Sequence, residues 1–96
     1  MAVPPKAKQS SASRNIIGER LKEARRKFNP ALTQDQLSGR LAAEGMQLDR
    51  VAIAKMETGL RCAFDFEVRA LAKILKVDVR WLLGMDSRTP GRRRKT

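Results

Sequence analysis

The fold of this chain is decided by residues 32–59, which read LTQDQLSGRLAAEGMQLDRVAIAKMETG. Near the start of this stretch, the Thr33 side chain can accept a hydrogen bond from the backbone N–H of Gln36, and the Gln36 side chain can accept one from the N–H of Thr33. This reciprocal arrangement is the capping box that begins many α-helices. We therefore predict a helix over residues 33–44, ending at Gly45 because glycine readily adopts the backbone conformation that follows a last helical turn.

The start pattern of that helix occurs twice more along the chain. In each case an apolar residue precedes the capping residue and a second apolar residue follows four positions after the cap, so that the two can pack together as a hydrophobic staple. The three pairs are Leu32 and Leu37 around Thr33, Leu48 and Ile53 around Asp49, and Val77 and Leu82 around Asp78. Three staples in a chain of 96 residues predict a compact bundle of short helices.

The other apolar residues also recur at helical spacing, and no segment shows the alternation of a β-strand. One such stripe is formed by Ile17, Leu21, Ala24 and Phe28. We predict an all-α fold of five helices, over residues 14–28, 33–44, 49–58, 65–75 and 79–83. Asp65 is expected to cap the fourth helix and Phe66 to contribute to its apolar face, whereas Trp81 suits either the core or a dimer contact. The expected core consists of Leu37, Leu41, Ile53, Met56 and Leu71.

The two ends of the chain differ in composition from the segment between them. Residues 1–13 have too few apolar side chains to join a core, and we expect them to be disordered. Residues 86–96 contain the run Arg92-Arg93-Arg94-Lys95 and are expected to form a flexible basic tail. A single domain over residues 14–85 is therefore predicted.

The chain is strongly basic, with 21 lysine and arginine residues against 10 acidic ones and a formal net charge of +11. Residues 1–13 and 88–96 carry seven of the basic residues and none of the acidic ones, whereas the segment from Arg14 to Ser87 has a net charge of +4. The predicted bundle is thus mildly basic, and the two ends supply most of the surplus. A surplus of this size favours a polyanionic partner, and nucleic acid is the first candidate.

Composition also argues against several classes of function. Cys62 is the only cysteine, so no intramolecular disulfide can form, which is typical of the reducing cytoplasm. The start of the chain lacks the apolar run of a signal peptide, and no stretch approaches the ~18 apolar residues of a membrane span. Without histidine and with one cysteine, the chain is poorly equipped for a nucleophile–base arrangement or a metal site, although Asp, Glu and Lys side chains could still act. We therefore expect a cytoplasmic protein that is not an enzyme and has no catalytic residues, metal or cofactor.

Four stretches carry a family resemblance. They are IGERL at residues 17–21 followed by Ala24-Arg25, LTQDQL at 32–37, IAKMETG at 53–59, and LAKILKVDVRWLL at 71–83. In this order they resemble the XRE family of helix-turn-helix proteins, which includes the phage repressors and Cro. The resemblance covers about residues 15–84 and implies a lambda-repressor-like DNA-binding domain, in which the second and third helices form the helix-turn-helix.

On this resemblance the third helix, residues 49–58, is the recognition helix that enters the major groove of B-DNA. The base-contacting positions of the family fall on Arg50, Val51 and Lys55, all of which lie outside the expected core. Arg50 can form two hydrogen bonds to guanine, and Val51 can touch a thymine methyl group. The alternative for Arg50 and Lys55 is an ordinary solvated helix face.

Phosphate contacts are expected from three parts of the chain. Gln34 falls where the family has a phosphate-contacting glutamine at the start of the second helix. Arg61 is the expected contact in the loop after Gly59, although the family often has a basic residue and a proline there and this chain has no proline. Loose phosphate contacts are expected from Arg92, Arg93 and Arg94, with a purely solubilising tail as the alternative. The chain also departs from the family at residues 42–48, which make the connection between the second and third helices about five residues longer than usual.

Together these features predict a transcriptional regulator that binds double-stranded DNA as a homodimer and represses by occluding a promoter. Because only residues 86–96 follow the bundle, neither a ligand-sensing domain nor a small-molecule ligand is expected, and no membrane partner is expected. The alternative is an antitoxin-type module that neutralises a partner toxin and binds DNA secondarily. Such a module would need an apolar extension, which neither end supplies. RNA binding would also suit the charge, but the chain has few aromatic residues for base stacking.

Overall fold

Five helices form the part of the chain that the structure, a computed structural model, describes, residues 13–85. They are α1 (Gly18–Lys27), α2 (Gln34–Ala43), α3 (Arg50–Glu57), α4 (Asp65–Leu75) and α5 (Val79–Leu82). These residues contain no β-strand, and the predicted all-α bundle of five helices is confirmed. None of the described helices is both long and apolar enough to cross a bilayer. The N-terminal segment predicted to be disordered lies outside the described residues except for Ser13. The predicted basic tail, residues 86–96, lies outside them entirely.

Helix α1 begins at Gly18, four residues later than predicted. The later start results from Asn15, whose side-chain oxygen accepts hydrogen bonds from the backbone N–H groups of Ile17 at 2.9 Å and Gly18 at 2.8 Å. An asparagine in this position satisfies N–H groups that have no partner inside the helix. Ser13 donates its hydroxyl to the Asn15 carbonyl at 2.6 Å, so the residues ahead of α1 are held in a turn.

The three caps predicted with the staples are present. Thr33 accepts from the N–H of Gln36 at 3.0 Å, and the Gln36 side chain accepts from the N–H of Thr33 at 2.8 Å, which completes the capping box of α2. Asp49 caps α3 and Asp78 caps α5, by accepting from backbone N–H groups three and two residues later at 2.8 and 2.7 Å. The apolar residues of the staples pack in one common core.

Helix α4 starts differently from the prediction. Phe64, rather than Asp65, is the residue before the first helical turn, and its N–H donates to the Glu67 carboxylate at 3.0 Å. The buried stripe of α4 includes Val68. Phe66 precedes Val68 by two positions, which corresponds to about 200° around the helix axis, so it lies on the opposite side. Phe66 is 51% exposed and stacks on Phe64 with ring centroids 5.6 Å apart, so the prediction that it contributes to the apolar face of this helix is wrong.

The core lies where the five helices meet. All the predicted core residues are fully buried in a single cluster, namely Leu37, Leu41, Ile53, Met56 and Leu71. Trp81 of α5 is buried in the same cluster. Arg20 of α1 lies over the Trp81 ring and donates to its backbone carbonyl at 2.8 Å. Of the two positions that the sequence allowed for Trp81, it occupies the core.

Helix α3 packs against both α1 and α2. The approach to α1 is close, because a Cβ atom on Gly18 would lie only 2.6 Å from the Met56 carbonyl oxygen. A glycine is therefore needed where the start of α1 meets the end of α3. Gly59 follows α3 with a φ of 82°, a backbone conformation that glycine adopts with little strain.

The core makes a direct prediction about stability. Leu41→Ala should lower the free energy of unfolding by about 2–5 kcal/mol, because Leu41 is fully buried and its truncation leaves a cavity. Leu60→Ala is the matched control, since Leu60 is 63% exposed, and it should change stability by less than about 0.5 kcal/mol. Urea denaturation followed by circular dichroism measures both changes. Equally small losses in the two variants would contradict this core.

Candidate nucleic-acid interface

Helix α3 has a buried inner face and an exposed outer face. Ile53 and Met56 point into the core. The outer face carries Arg50, Val51 and Lys55, the three residues expected to contact bases, and Val51 is 51% exposed. Val51 and Lys55 are one helical turn apart, and Arg50 lies about 100° from Val51 around the axis, so the three side chains fall within an arc of about 140°.

Arg50 lies beside an acidic residue that no sequence pattern indicated. Its Nε atom is 3.7 Å from Oδ1 of Asp35 in the first turn of α2, and both side chains are largely exposed. An ion pair this exposed contributes about 0–1 kcal/mol, because water and salt screen it. The pair is therefore weak enough for Arg50 to exchange Asp35 for another partner.

A buried carboxylate at the end of α3 binds α1. Glu57 accepts two hydrogen bonds from Arg25, one from Nε at 2.6 Å and one from Nη2 at 3.0 Å. Only 3% of the Glu57 side chain and 12% of the Arg25 side chain are exposed. Arg25 also donates from Nη1 to the carbonyl of Leu32 at 2.9 Å. Arg25 thereby joins α1 both to α3 and to the residue that precedes the α2 cap.

Gln34, the first residue of α2, binds the same carboxylate. Its Nε2 donates to Oε1 of Glu57 at 3.0 Å. Glu57 thus links three helices. The predicted phosphate contact of Gln34 would use the second N–H of its amide group, because Glu57 holds the first.

Arg61, in the loop between α3 and α4, has an acidic partner of its own. Its Nη1 and Nη2 donate to the two carboxylate oxygens of Glu67 at 2.9 and 3.2 Å, and Nη1 also donates to the carbonyl of Cys62 at 2.9 Å. The hydrogen bond to Glu67 raises the pKa of Arg61. Burial alone would raise the pKa of Glu67, but hydrogen bonds from Arg61 and from the Phe64 N–H outweigh it, and the pKa is lowered.

Asn15 holds the end of α3 from the other side. Its Nδ2 donates to the carbonyls of Met56 at 3.0 Å and Arg61 at 2.8 Å. The N–H of Arg14 donates to the carbonyl of Gly59 at 2.7 Å. The Met56 carbonyl belongs to the last turn of α3, where carbonyls lack partners inside the helix, and the carbonyls of Gly59 and Arg61 lie in the loop that follows. The segment ahead of α1 therefore binds both the end of α3 and this loop. No sequence pattern indicated this role, although asparagine before an apolar helix start is a common capping residue.

The connection between α2 and α3, residues 44–49, is long, as the sequence indicated. It is nevertheless attached to the bundle at two points. The N–H of Met46 donates to the carbonyl of Leu41 at 2.9 Å, and Lys73 of α4 pairs with Glu44 at 3.3 Å. The connection is therefore held against the end of α2 and against α4.

Two charged residues of this site occupy positions that continue an apolar stripe. Arg25 follows Leu21 by four residues, and Glu57 follows Ile53 by four residues. A charged side chain on a core-facing position needs a partner of opposite charge. Two such positions in one short chain are the signal that could have predicted the Arg25–Glu57 pair, whereas nothing comparable marks Asp35.

The predicted contact residues are therefore placed differently from one another. Arg50, Val51 and Lys55 share the outer face of α3, and Arg61 is held by Glu67. The remaining predicted phosphate contacts of the basic tail, Arg92, Arg93 and Arg94, lie outside the described residues. Within residues 13–85, no group of three or more potential metal ligands comes together.

Comparison with known proteins found no relative of this chain. No protein-family model, no curated protein and no solved structure matches the chain.

The Arg61–Glu67 pair predicts a dependence of stability on pH. Glu67→Gln should lower the free energy of unfolding by about 1–3 kcal/mol at neutral pH, because it leaves the Arg61 guanidinium without its charged partner. The unfolded chain protonates Glu67 near its ordinary pKa of 4.5, above the lowered pKa of the folded protein. The wild-type protein therefore loses this contribution to stability as the pH falls from the pKa of Glu67 in the unfolded chain through its lower pKa in the folded protein.

The measurement is urea denaturation of wild type and Glu67→Gln at neutral and at acidic pH. The difference between the two proteins should shrink on acidification, since the variant has no carboxyl group at this position to titrate. A difference that stays constant with pH would contradict the lowered pKa of Glu67.

Proposed function

We propose that this protein is a transcriptional regulator of the XRE helix-turn-helix family, which binds double-stranded DNA sequence-specifically with α3 as its recognition helix. The observation that supports the proposal best is the division of α3 into two faces. Its inner face is held in the bundle through Glu57, and its outer face presents Arg50, Val51 and Lys55 to solvent. The helix could therefore contact DNA without any rearrangement of the core.

The dimensions of α3 suit the major groove. An α-helix with its side chains is about 10–12 Å across, and the major groove of B-DNA is about 12 Å wide. Arg50, at the first position of α3, would donate two hydrogen bonds to the O6 and N7 atoms of a guanine. Val51 would contact a thymine methyl group, and Lys55, one turn further on, would reach a second base.

Contacts to the DNA backbone would set the position of α3 along the duplex. Gln34 lies at the start of α2, where backbone N–H groups and the helix dipole favour a phosphate. Arg92, Arg93 and Arg94 would add loose contacts that carry no sequence information. Arg61 is first of all the partner of Glu67, and it would contribute only through the N–H groups that Glu67 and Cys62 leave unused.

Regulation would then follow from occupancy of the DNA, without chemistry. A homodimer on a two-fold related operator reads the same bases twice, which multiplies the specificity of a small recognition helix. Bound over a promoter in the cytoplasm, such a dimer would exclude the transcription machinery and repress the gene.

The first test separates base contacts from phosphate contacts. A preferred duplex is obtained by selection from random double-stranded DNA, and anisotropy titrations compare it with a scrambled duplex. Arg50→Ala should cost about 1–3 kcal/mol on the preferred duplex and relax the preference at one position of each half-site. Lys22→Ala is the matched control, because it removes one positive charge from an exposed side chain of α1 that forms no ion pair within residues 13–85, and it should affect both duplexes equally and slightly.

Two results would count against this proposal. Failure to select any preferred duplex would rule out sequence-specific DNA binding. Equal losses for Arg50→Ala on both duplexes would make Arg50 a phosphate contact, and the base-contacting residue would have to lie elsewhere.

Deletion of residues 92–96 should have a different effect from Arg50→Ala. Binding to preferred and scrambled duplexes should weaken alike, because the basic tail would neutralise phosphates only. The dependence of log K on log salt should become shallower by up to about 0.9 for each phosphate that the shortened chain no longer neutralises. Titrations over a range of salt concentrations measure this slope, and an unchanged slope would exclude the tail from the interface.

A further inference from the structure

An open groove of about 540 Å³ lies between the segment ahead of α1, the first turns of α4, and α5. Its walls are mostly apolar and include Ile16, Val68, Val79 and Leu83, and we refer to it as the Ile16 groove. Ile16 is 75% exposed, so it stands out into solvent beside the groove. Exposed apolar side chains next to an apolar concave surface mark a site for another apolar surface.

Two opposite charges line the Ile16 groove as well. Asp65 and Arg69 lie one turn apart on α4. Within residues 13–85, neither side chain forms an ion pair or hydrogen bond. Their positions differ by about 6 Å along the helix axis, because each helical residue rises about 1.5 Å. The groove therefore combines an apolar floor with one negative and one positive group, both available to a partner.

We propose that the Ile16 groove binds a second copy of this chain in a two-fold symmetric contact. Such a contact uses the same patch on both copies, so the patch must contain its own complement. The Ile16 groove meets this condition. The exposed Ile16 of each copy fits the groove of the other, and Asp65 of each copy faces Arg69 of the other, which makes two equivalent ion pairs.

Charge favours this occupant over others. Because each copy has a net charge of +11, two copies repel each other overall. The charged wall of the Ile16 groove is neutral, because it has one acidic and one basic group, so two copies can approach there. A partner with charge of one sign would leave either Asp65 or Arg69 unpaired in the interface, and an unpaired charge there weakens binding.

The inference rests on the proposed function, since a two-fold operator requires a two-fold protein. No residue of α3 lines the Ile16 groove. The outer face of α3 therefore stays exposed in the dimer, and each copy presents its own recognition helix.

A charge-reversal series on the full-length protein tests the contact without DNA. Sedimentation equilibrium over a wide range of concentrations gives the dimer dissociation constant. Asp65→Arg and Arg69→Asp should each raise the dissociation constant by more than about tenfold, because each change places like charges opposite one another in both symmetry-related pairs of the dimer. The double variant restores opposite charges, and its constant should return to within about threefold of that of wild type. Since recovery requires a folded protein, it also excludes misfolding as the cause of the single effects.

The apolar part of the contact has its own matched pair of variants. Ile16→Glu should abolish dimers, whereas Leu60→Glu, which places the same charge at another exposed apolar position outside the groove, should leave the constant within about threefold of wild type. A wild type that is monomeric at every concentration would overturn the proposal and assign the groove to another occupant, such as a terminal segment of the chain or a different protein. A double reversal variant as weak as the single ones, or an Ile16→Glu that dimerises like wild type, would also overturn it.

Binding to half-site and full-site duplexes separates this inference from the proposed function. Ile16→Glu should bind a half-site as wild type does and lose the tighter binding to the full two-fold site. If the variants abolish the dimer but no duplex is preferred, the groove contact stands and the proposed function fails. If duplex preference holds while Ile16→Glu still dimerises, the proposed function stands and the groove contact fails.

Discussion

The arrangement of the first three helices depends on one buried carboxylate. Glu57 receives hydrogen bonds from Arg25 of α1 and from Gln34 of α2, and only 3% of its side chain is exposed. Removing a partner from a buried ion pair costs about 3–5 kcal/mol, because the remaining charge has neither water nor a counter-charge. Orientations of α3 that break these bonds are therefore strongly disfavoured. Apolar packing holds the helices together, and the directional bonds to Glu57 select how α3 lies among them.

The two ends of α3 are held to different degrees, and the difference matters for function. At its C-terminal end, Asn15 satisfies carbonyls of the last turn and of Arg61, and the Arg61–Glu67 pair connects the following loop to α4. At its N-terminal end, α3 has the Asp49 cap and the exposed pair of Arg50 with Asp35. A helix held firmly at one end and solvent-exposed at the other presents its side chains in a fixed geometry, which a binding surface requires.

Much of the fold could be predicted from the sequence because its signals are local. The caps at Thr33, Asp49 and Asp78 bond to groups no more than three residues away, so both partners are visible in a short stretch. The helical period separates inner from outer positions, and it correctly assigned the predicted core and the exposed side of α3. It failed at Phe66, where an apolar residue lies opposite the buried stripe and finds its neighbour, Phe64, on the surface.

The sequence by itself thus determined the five helices, the caps at Thr33, Asp49 and Asp78 and most of the faces turned inward, and the tertiary structure decided which distant polar groups meet. Arg25 and Glu57 are 32 residues apart in the chain, and Asn15 and Met56 are 41 apart. The groove lined by Ile16 likewise combines segments from the start, middle and end of the domain. An arginine or carboxylate can bond to any suitable group along the chain. Only the packing of the helices determines which of these groups comes within the roughly 3 Å that a hydrogen bond requires.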